Sequence, residues 1–184
     1  MQTESSDGLM TAEELERVDI PGKSTELVRG RLVVLEPPSF YHGHVSAKLL
    51  FLLGQHVFPR NLGWLSSQDT GFRIATNPDT VRAPDVAFTS RERVPVLQRR
   101  GYGAFAPDLV AEVLSPDDRP GEVLSKVGDW IGAGVRLVFV IDPVRRAVRI
   151  YRADGSQGLV DEGGLLDAED VIPGFSCRLA DFLD

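Results

Sequence analysis

A chain of 184 residues, 42% hydrophobic and 26% charged, carries enough apolar surface for a sizeable core, which excludes a disordered chain. The lone Cys177 excludes a disulfide framework and a cysteine-rich zinc site, and the polar stretch from Met1 to Met10 lacks the basic and apolar regions of a signal peptide. A net charge of −7 argues against indiscriminate binding to nucleic acid but not against a local basic groove; no apolar run can span a bilayer, so no membrane is expected and the expected home is the cytoplasm.

In chain order, residues 1–10 suggest a disordered tail and residues 11–184 one domain. Thr11-Ala12-Glu13-Glu14 is a capping-box pattern opening a short helix to about Val18. Glu26-Leu27-Val28 and Leu32-Val33-Val34-Leu35 flank Arg29-Gly30 as a tight hairpin. Ser39 caps a predicted helix from Tyr41 to Val57 with Val45, Leu49, Leu52 and Leu53 on its core face. Trp64 to Ala75 has the pattern of one or two strands, and Val81 to Phe88 that of the next. Ser90 to Tyr102 is charged and helical at its start. Asp108 to Leu114 is a predicted strand, Gly121 to Ala133 a helix ending near Gly134, and Leu137 to Ile141 a buried central strand. Ala147 to Tyr151 follows, then short strands around Val171 to Phe175 and a helical turn at Leu179 to Leu183. Strand, helix and strand from Asp108 to Ile141 form a crossover, while the flanking segments are hairpins. The class is α/β, or α+β by stricter counting, with a mixed sheet and helices packed on it.

Two apolar strands each carry a carboxylate where a core residue belongs, and buried charges are normally paired or bound to a cation. Asp108 and Glu112 share a strand face, but four residues of strand span about 13 Å, too far for one ion. Adjacent strands lie about 4.8 Å apart, so Asp85 on a neighbouring strand can meet Glu112. Simpler readings stand beside this one. Asp85 after Pro84 can close a turn, and Glu112 can pair with Arg82 or Arg136. Glu26 fits an ordinary hairpin charge and Lys126 a surface lysine. His42 and His44 stand two apart on a predicted helix and share no face. Ser115 and Ser125 have no histidine in a triad arrangement. Arginines cluster at Arg91, Arg93, Arg99 and Arg100, and at Arg145, Arg146, Arg149 and Arg152, most simply as solvated charges. Only Lys23, Lys48 and Lys126 of the 20 basic residues are lysine, which favours a specific role for Lys126.

Pro84-Asp85, then Glu112 near the end of the next major strand, then a lysine, resembles the PD-(D/E)XK nuclease superfamily. More narrowly, the chain resembles the Uma-two family of putative restriction endonucleases, first described as a domain of unknown function. The matching stretches are Glu26 to Gly30, Pro37 to His42, Pro84 to Phe88 and Pro107 to Pro116, continuing through Lys126, Ala133-Gly134-Val135 and Val140 to Pro143. The resemblance implies a restriction-endonuclease-like core that cuts DNA with Mg²⁺, or Mn²⁺ as a substitute. It implies that Asp85, Glu112 and the Val113 carbonyl hold the metal, that Lys126 orients water or neutralises charge, and that Glu26 assists the metal or holds Lys126. It implies that His42 contacts phosphate. Leu114 departs from the wider superfamily, whose lysine stands there; the Uma-two lysine lies on the following helix, where Lys126 is. By analogy with nucleases that cut both strands, a homodimer is expected. The alternatives are a catalytically inactive nuclease-fold module that binds nucleic acid or protein, and a small-molecule phosphodiesterase.

Overall fold

Arg29 and Gly30 both take the left-handed backbone, with φ of 50° and 75°, the turn geometry that matches the twist of two paired strands. They join β1 (Ser24–Val28) to β2 (Arg31–Leu35) with Val28 opposite Arg31. The computed structural model describes residues 8–94 and 100–184. Of the tail expected over 1–10, residues 1–7 lie outside the described residues, while the Met10 N–H donates to the Gly30 carbonyl at 2.8 Å. The capping box forms: the Glu14 N–H donates to the Thr11 hydroxyl, and the Glu14 carboxylate accepts the Thr11 N–H at 2.7 Å. Helix α1 (Ala12–Leu15) stops short of Val18 and seats Ala12 and Leu15 against Leu27 and Val81.

Helix α2 (Phe40–Arg60) starts on the Ser39 cap and runs past Val57 through Pro59, ending at Asn61 in the left-handed conformation. Two β segments follow, β3 (Gly63–Ser67) and β4 (Phe72–Ala75), and they join different sheets. So do β5 (Thr80–Arg82) and β6 (Val86–Ser90), which corrects the single strand expected from Val81 to Phe88. The interruption is Ala83-Pro84-Asp85. Proline has no N–H for a ladder and restricts the residue before it, so the chain leaves one sheet there and enters the other. Helix at the start of Ser90 to Tyr102 is also corrected: Arg91 to Arg93 form a turn, and residues 95–99 lie outside the described residues.

The larger sheet has six strands in the order β10-β9-β8-β7-β6-β3, adding β7 (Leu109–Val113), β8 (Leu137–Asp142), β9 (Ala147–Arg152) and β10 (Gln157–Val160). Among the described residues, only β7 and β8 of this sheet pair in parallel, joined by α3 (Pro120–Gly132); its other pairs are antiparallel. The smaller sheet has the order β2-β1-β5-β4. The strands expected around Val171 to Phe175 fall instead on β11 (Leu165–Asp167) and β12 (Ser176–Arg178), with Val171 to Phe175 forming the turn between them. Helix α4 (Ala180–Leu183) closes the chain. On one face of the six-stranded sheet, Val45, Leu49 and Leu53 of α2 bury Val86, Phe88, Ala111 and Val113. On the other, Val127 and Trp130 of α3 bury Ala87, Val110 and Val138. Both faces are covered, so β7 and β8 are apolar throughout apart from their acids. Among the described residues, no helix is long and apolar enough to cross a membrane.

Candidate functional site

Side chains alternate along a strand, so Val110 and Glu112 both point to the α3 side of the sheet. The antiparallel register pairs Val86 with Ala111, and one step beyond it Asp85 stands opposite Glu112. The step between the two sheets thus brings the first acid to the second. Asp85 accepts the Val113 N–H at 2.7 Å and a Gln68 amide N–H at 3.1 Å, and its Oδ2 lies 3.2 Å from His42 Nε2. Burial would raise its pKa, but the His42 hydrogen bond and charge, the Val113 N–H and Lys126 together hold it below the usual value.

Glu112 is placed otherwise. Its Oε2 accepts Lys126 Nζ at 2.8 Å and its Oε1 accepts the Trp130 indole N–H at 2.7 Å. Burial raises its pKa; Lys126 opposes this, and the Asp85 and Glu26 charges add to it, pushing the group up to about 7. Lys126 also lies 3.4 Å from Glu26 Oε1, and Glu112 and Glu26 raise its pKa despite burial. Glu26, 2% exposed, accepts Arg82 Nη1 at 2.7 Å and the Ala83 N–H at 3.0 Å; burial raises its pKa, but Lys126, Arg82 and that N–H outweigh it and the net shift is downward. Arg82 also reaches Asp129 at 2.5 Å. Four carboxyl groups (Asp85, Glu112, Glu26 and Asp129) thus meet two permanent cations, Lys126 and Arg82, and one histidine.

His42 is buried at the start of α2, while His44 is exposed. Burial lowers the His42 pKa, but Asp85 and the Val113 main chain outweigh it and the net shift is upward. His42 Nδ1 lies 3.1 Å from Gln68 Nε2. With that amide donating to Nδ1, the neutral ring carries its proton on Nε2 toward Asp85; protonating Nδ1 requires Gln68 to turn its oxygen inward.

The sequence-derived set Asp85, Glu112, Val113, Lys126, Glu26 and His42 meets in one cluster. The partners suggested for Glu112 are corrected: Arg82 serves Glu26 and Asp129, and Arg136 lies 4.0 Å from Asp108 at the other end of β7. Arg93, Arg146 and Arg152, taken for solvated charges, are paired with Asp108, Glu162 and Asp170; Arg99 lies outside the described residues. Gln68 and Trp130 join the cluster from outside that set. Trp130 carries a signal, standing four residues after Lys126 on the same helix face. Gln68 carries none, because only the β3–β6 register takes it to Asp85.

Among the described residues, no group of three or more His, Cys, Asp or Glu forms a ready metal cage. Mg²⁺ does not ask for one: it is commonly held by one or two carboxylates and keeps several waters. Asp85, Glu112 and the Val113 carbonyl are oxygen donors of the right kind, and surplus negative charge around Glu112 favours a cation. The donor set fits.

The Uma2 family, described as "Putative restriction endonuclease", matches residues 12–180. Among solved structures, one described as a putative nuclease belonging to DUF820, from Anabaena variabilis, is 18% identical with a TM-score of 0.82, over 95% of this chain and 97% of that one. At that identity the likeness establishes the fold. No curated protein matches the chain.

Proposed function

The chain belongs to the Uma2 family of putative restriction endonucleases, and from that membership we propose that it is a metal-dependent DNA endonuclease centred on Asp85 and Glu112. The observation that carries this reading is the buried Glu112 carboxyl, gathered with Asp85, Glu26 and Asp129 around two permanent cations, Lys126 and Arg82. Asp85, Glu112 and the Val113 carbonyl would hold Mg²⁺, with Mn²⁺ as a substitute. When bound, such an ion supplies Lewis-acid activation of phosphate and water. Glu112 would release its residual proton to solvent on taking that role. Lys126 Nζ, kept charged by Glu112 and Glu26, neutralises charge developing on the phosphoryl oxygens or holds the attacking water. Glu26 fixes Lys126 and is itself fixed by Arg82, so its role is to position rather than to ligate. His42 Nε2, which faces Asp85, would share its donor with a phosphate oxygen. Gln68 orients His42 and Asp85 together. Residues 11–184 act in this reading as one cytoplasmic nuclease domain, working as a homodimer.

Nicking of supercoiled plasmid with Mg²⁺ or Mn²⁺ tests the proposal: wild type cuts, and Asp85→Ala is reduced by about 100-fold or more, the scale of losing a charge-stabilising group. One observation favours a second reading, an inactive binding module: Lys126 and His42 already pair with both candidate ligands. Plasmid bound but cut by neither protein, across metals and DNA forms, selects that module.

A further inference from the structure

On the sheet face that carries Asp85 and Glu112 there is a cavity of about 670 Å³ at the outer edge of β3. That volume lies in the range of small-ligand sites, about 300–1,000 Å³. Trp64 lines it, 52% exposed although it sits in a strand. Tyr102 and Phe105 line it as well. The Tyr102–Phe105 part of the lining is built in place. Gly71 accepts the Gly103 N–H at 2.9 Å, and Gly103 accepts the Arg73 N–H at 2.8 Å, tying the Tyr102 segment to β4. Gly71 has no Cβ, and one added there would drive into the Tyr102 ring. Phe105 meets Phe72 edge to face at 5.7 Å, and Phe72 in turn packs against Trp130.

From these observations we propose that the Trp64–Tyr102–Phe105 cavity takes an unstacked nucleobase of the nucleic acid bound at the Asp85–Glu112 site. The inference rests on the nuclease reading and deepens it. Aromatic walls stack on any base, because every base has a π-face. Glu16 and Asp69 are also among the lining residues, an acidic setting that disfavours phosphate and suits the neutral base. Position agrees as well. Trp64 pairs with Thr89, four residues along β6 from Asp85, or about 13 Å of strand. That distance is about four stacked nucleotides at about 3.4 Å each, and fewer once a strand is unstacked. Gln68, four residues after Trp64, closes the path by touching Asp85.

The two tryptophans make the test direct. Trp130 is fully buried against Glu112, so an added base can reach Trp64 alone. A short single-stranded oligonucleotide is titrated into Asp85→Ala protein, which leaves the strand uncut, while tryptophan emission and the anisotropy of a dye on the oligonucleotide are followed. Stacking quenches Trp64 emission as the strand binds. Trp64→Leu removes the quenching and weakens binding about tenfold, the scale of losing one stacked base. Tyr102→Leu weakens it similarly with Trp64 still present. Binding with unchanged emission, or equal binding by Trp64→Leu, overturns the cavity proposal; wild-type plasmid nicking in that case leaves the nuclease reading standing. A wild type that neither binds nor cuts DNA overturns both.

Discussion

Asp108, just before β7, and Glu112, near its end, are buried acids four residues apart, and they live in opposite electrostatic states. Asp108 accepts the Ser90 N–H at 2.8 Å and Arg93 Nη1 at 2.7 Å, and these partners outweigh burial and lower its pKa. Glu112 is as well hydrogen-bonded, yet its pKa is raised to about 7. The difference is company. Asp108 faces arginine with no competing acid among its named partners, whereas Glu112 shares Lys126 with Glu26 and feels Asp85. Burial of a carboxylate is therefore common to both ends; the charge left unbalanced after every hydrogen bond is made is what sets Glu112 apart from Asp108.

The sharpest way to separate the two ends is to remove the balanced one. Asp108→Ala leaves a part-buried N–H without its acceptor and a partly exposed guanidinium with the Ala106 carbonyl still in place, so it is expected to destabilise by about 1–3 kcal/mol. Thermal melts measure that loss. Plasmid nicking per folded molecule is expected to stay at the wild-type level, and a selective loss of nicking would erase the distinction between structural and functional acid.

At the unbalanced end the effect depends on pH. Glu112 has a folded pKa of about 7 against an ordinary 4.5, so it binds its proton more tightly when folded. Its contribution to stability is fully present below about pH 4.5 and is lost as pH rises through 7. The shift corresponds to roughly 3 kcal/mol. Asp85, Glu26 and Asp108, with lowered values, act in the opposite sense and lose stability as pH falls. Subtracting Glu112→Gln melts from wild-type melts between pH 5 and 8 isolates the Glu112 part. The difference is expected to favour wild type increasingly at low pH, and a flat difference would contradict the raised pKa.

Lys126 links the acids, and its replacement is expected to cost about 100-fold in cleavage. Because it lies between Glu112 and Glu26, Lys126→Ala also strands two buried carboxylates, and the pH dependence assigned to Glu112 should move further upward. Lys126→Arg is not expected to restore cleavage, since a planar guanidinium does not replace a compact ammonium. Plasmid nicking in parallel with pH-dependent melts checks both parts.

What could be read ahead of the structure follows the range of the interaction. The α2 and α3 periodicities, the apolar run of β8 and the Arg29-Gly30 turn are local, and each element formed where its pattern lay. The Val81 to Phe88 stretch misled because its apolar residues continue through the break; Pro84 was the local sign that one strand could not. Val171 to Phe175 misled similarly, its buried Val171, Ile172 and Phe175 belonging to a turn that plugs the core. Around the candidate site, Lys126 and Trp130 share a helix face by spacing alone. Arg82 and Gln68 find Glu26 and Asp85 only through sheet registers, across 56 and 17 residues, which periodicity cannot convey.

The claim that the Glu112 end of β7 is a cation site is tested most directly by calorimetric titration of Mn²⁺ near pH 7 into wild type, Asp85→Ala and Asp108→Asn, in buffers of different ionisation enthalpy. Wild type and Asp108→Asn are expected to bind one ion and release a fraction of a proton from Glu112, while Asp85→Ala loses the binding. Equal binding by Asp85→Ala, or binding without proton release, would contradict the account.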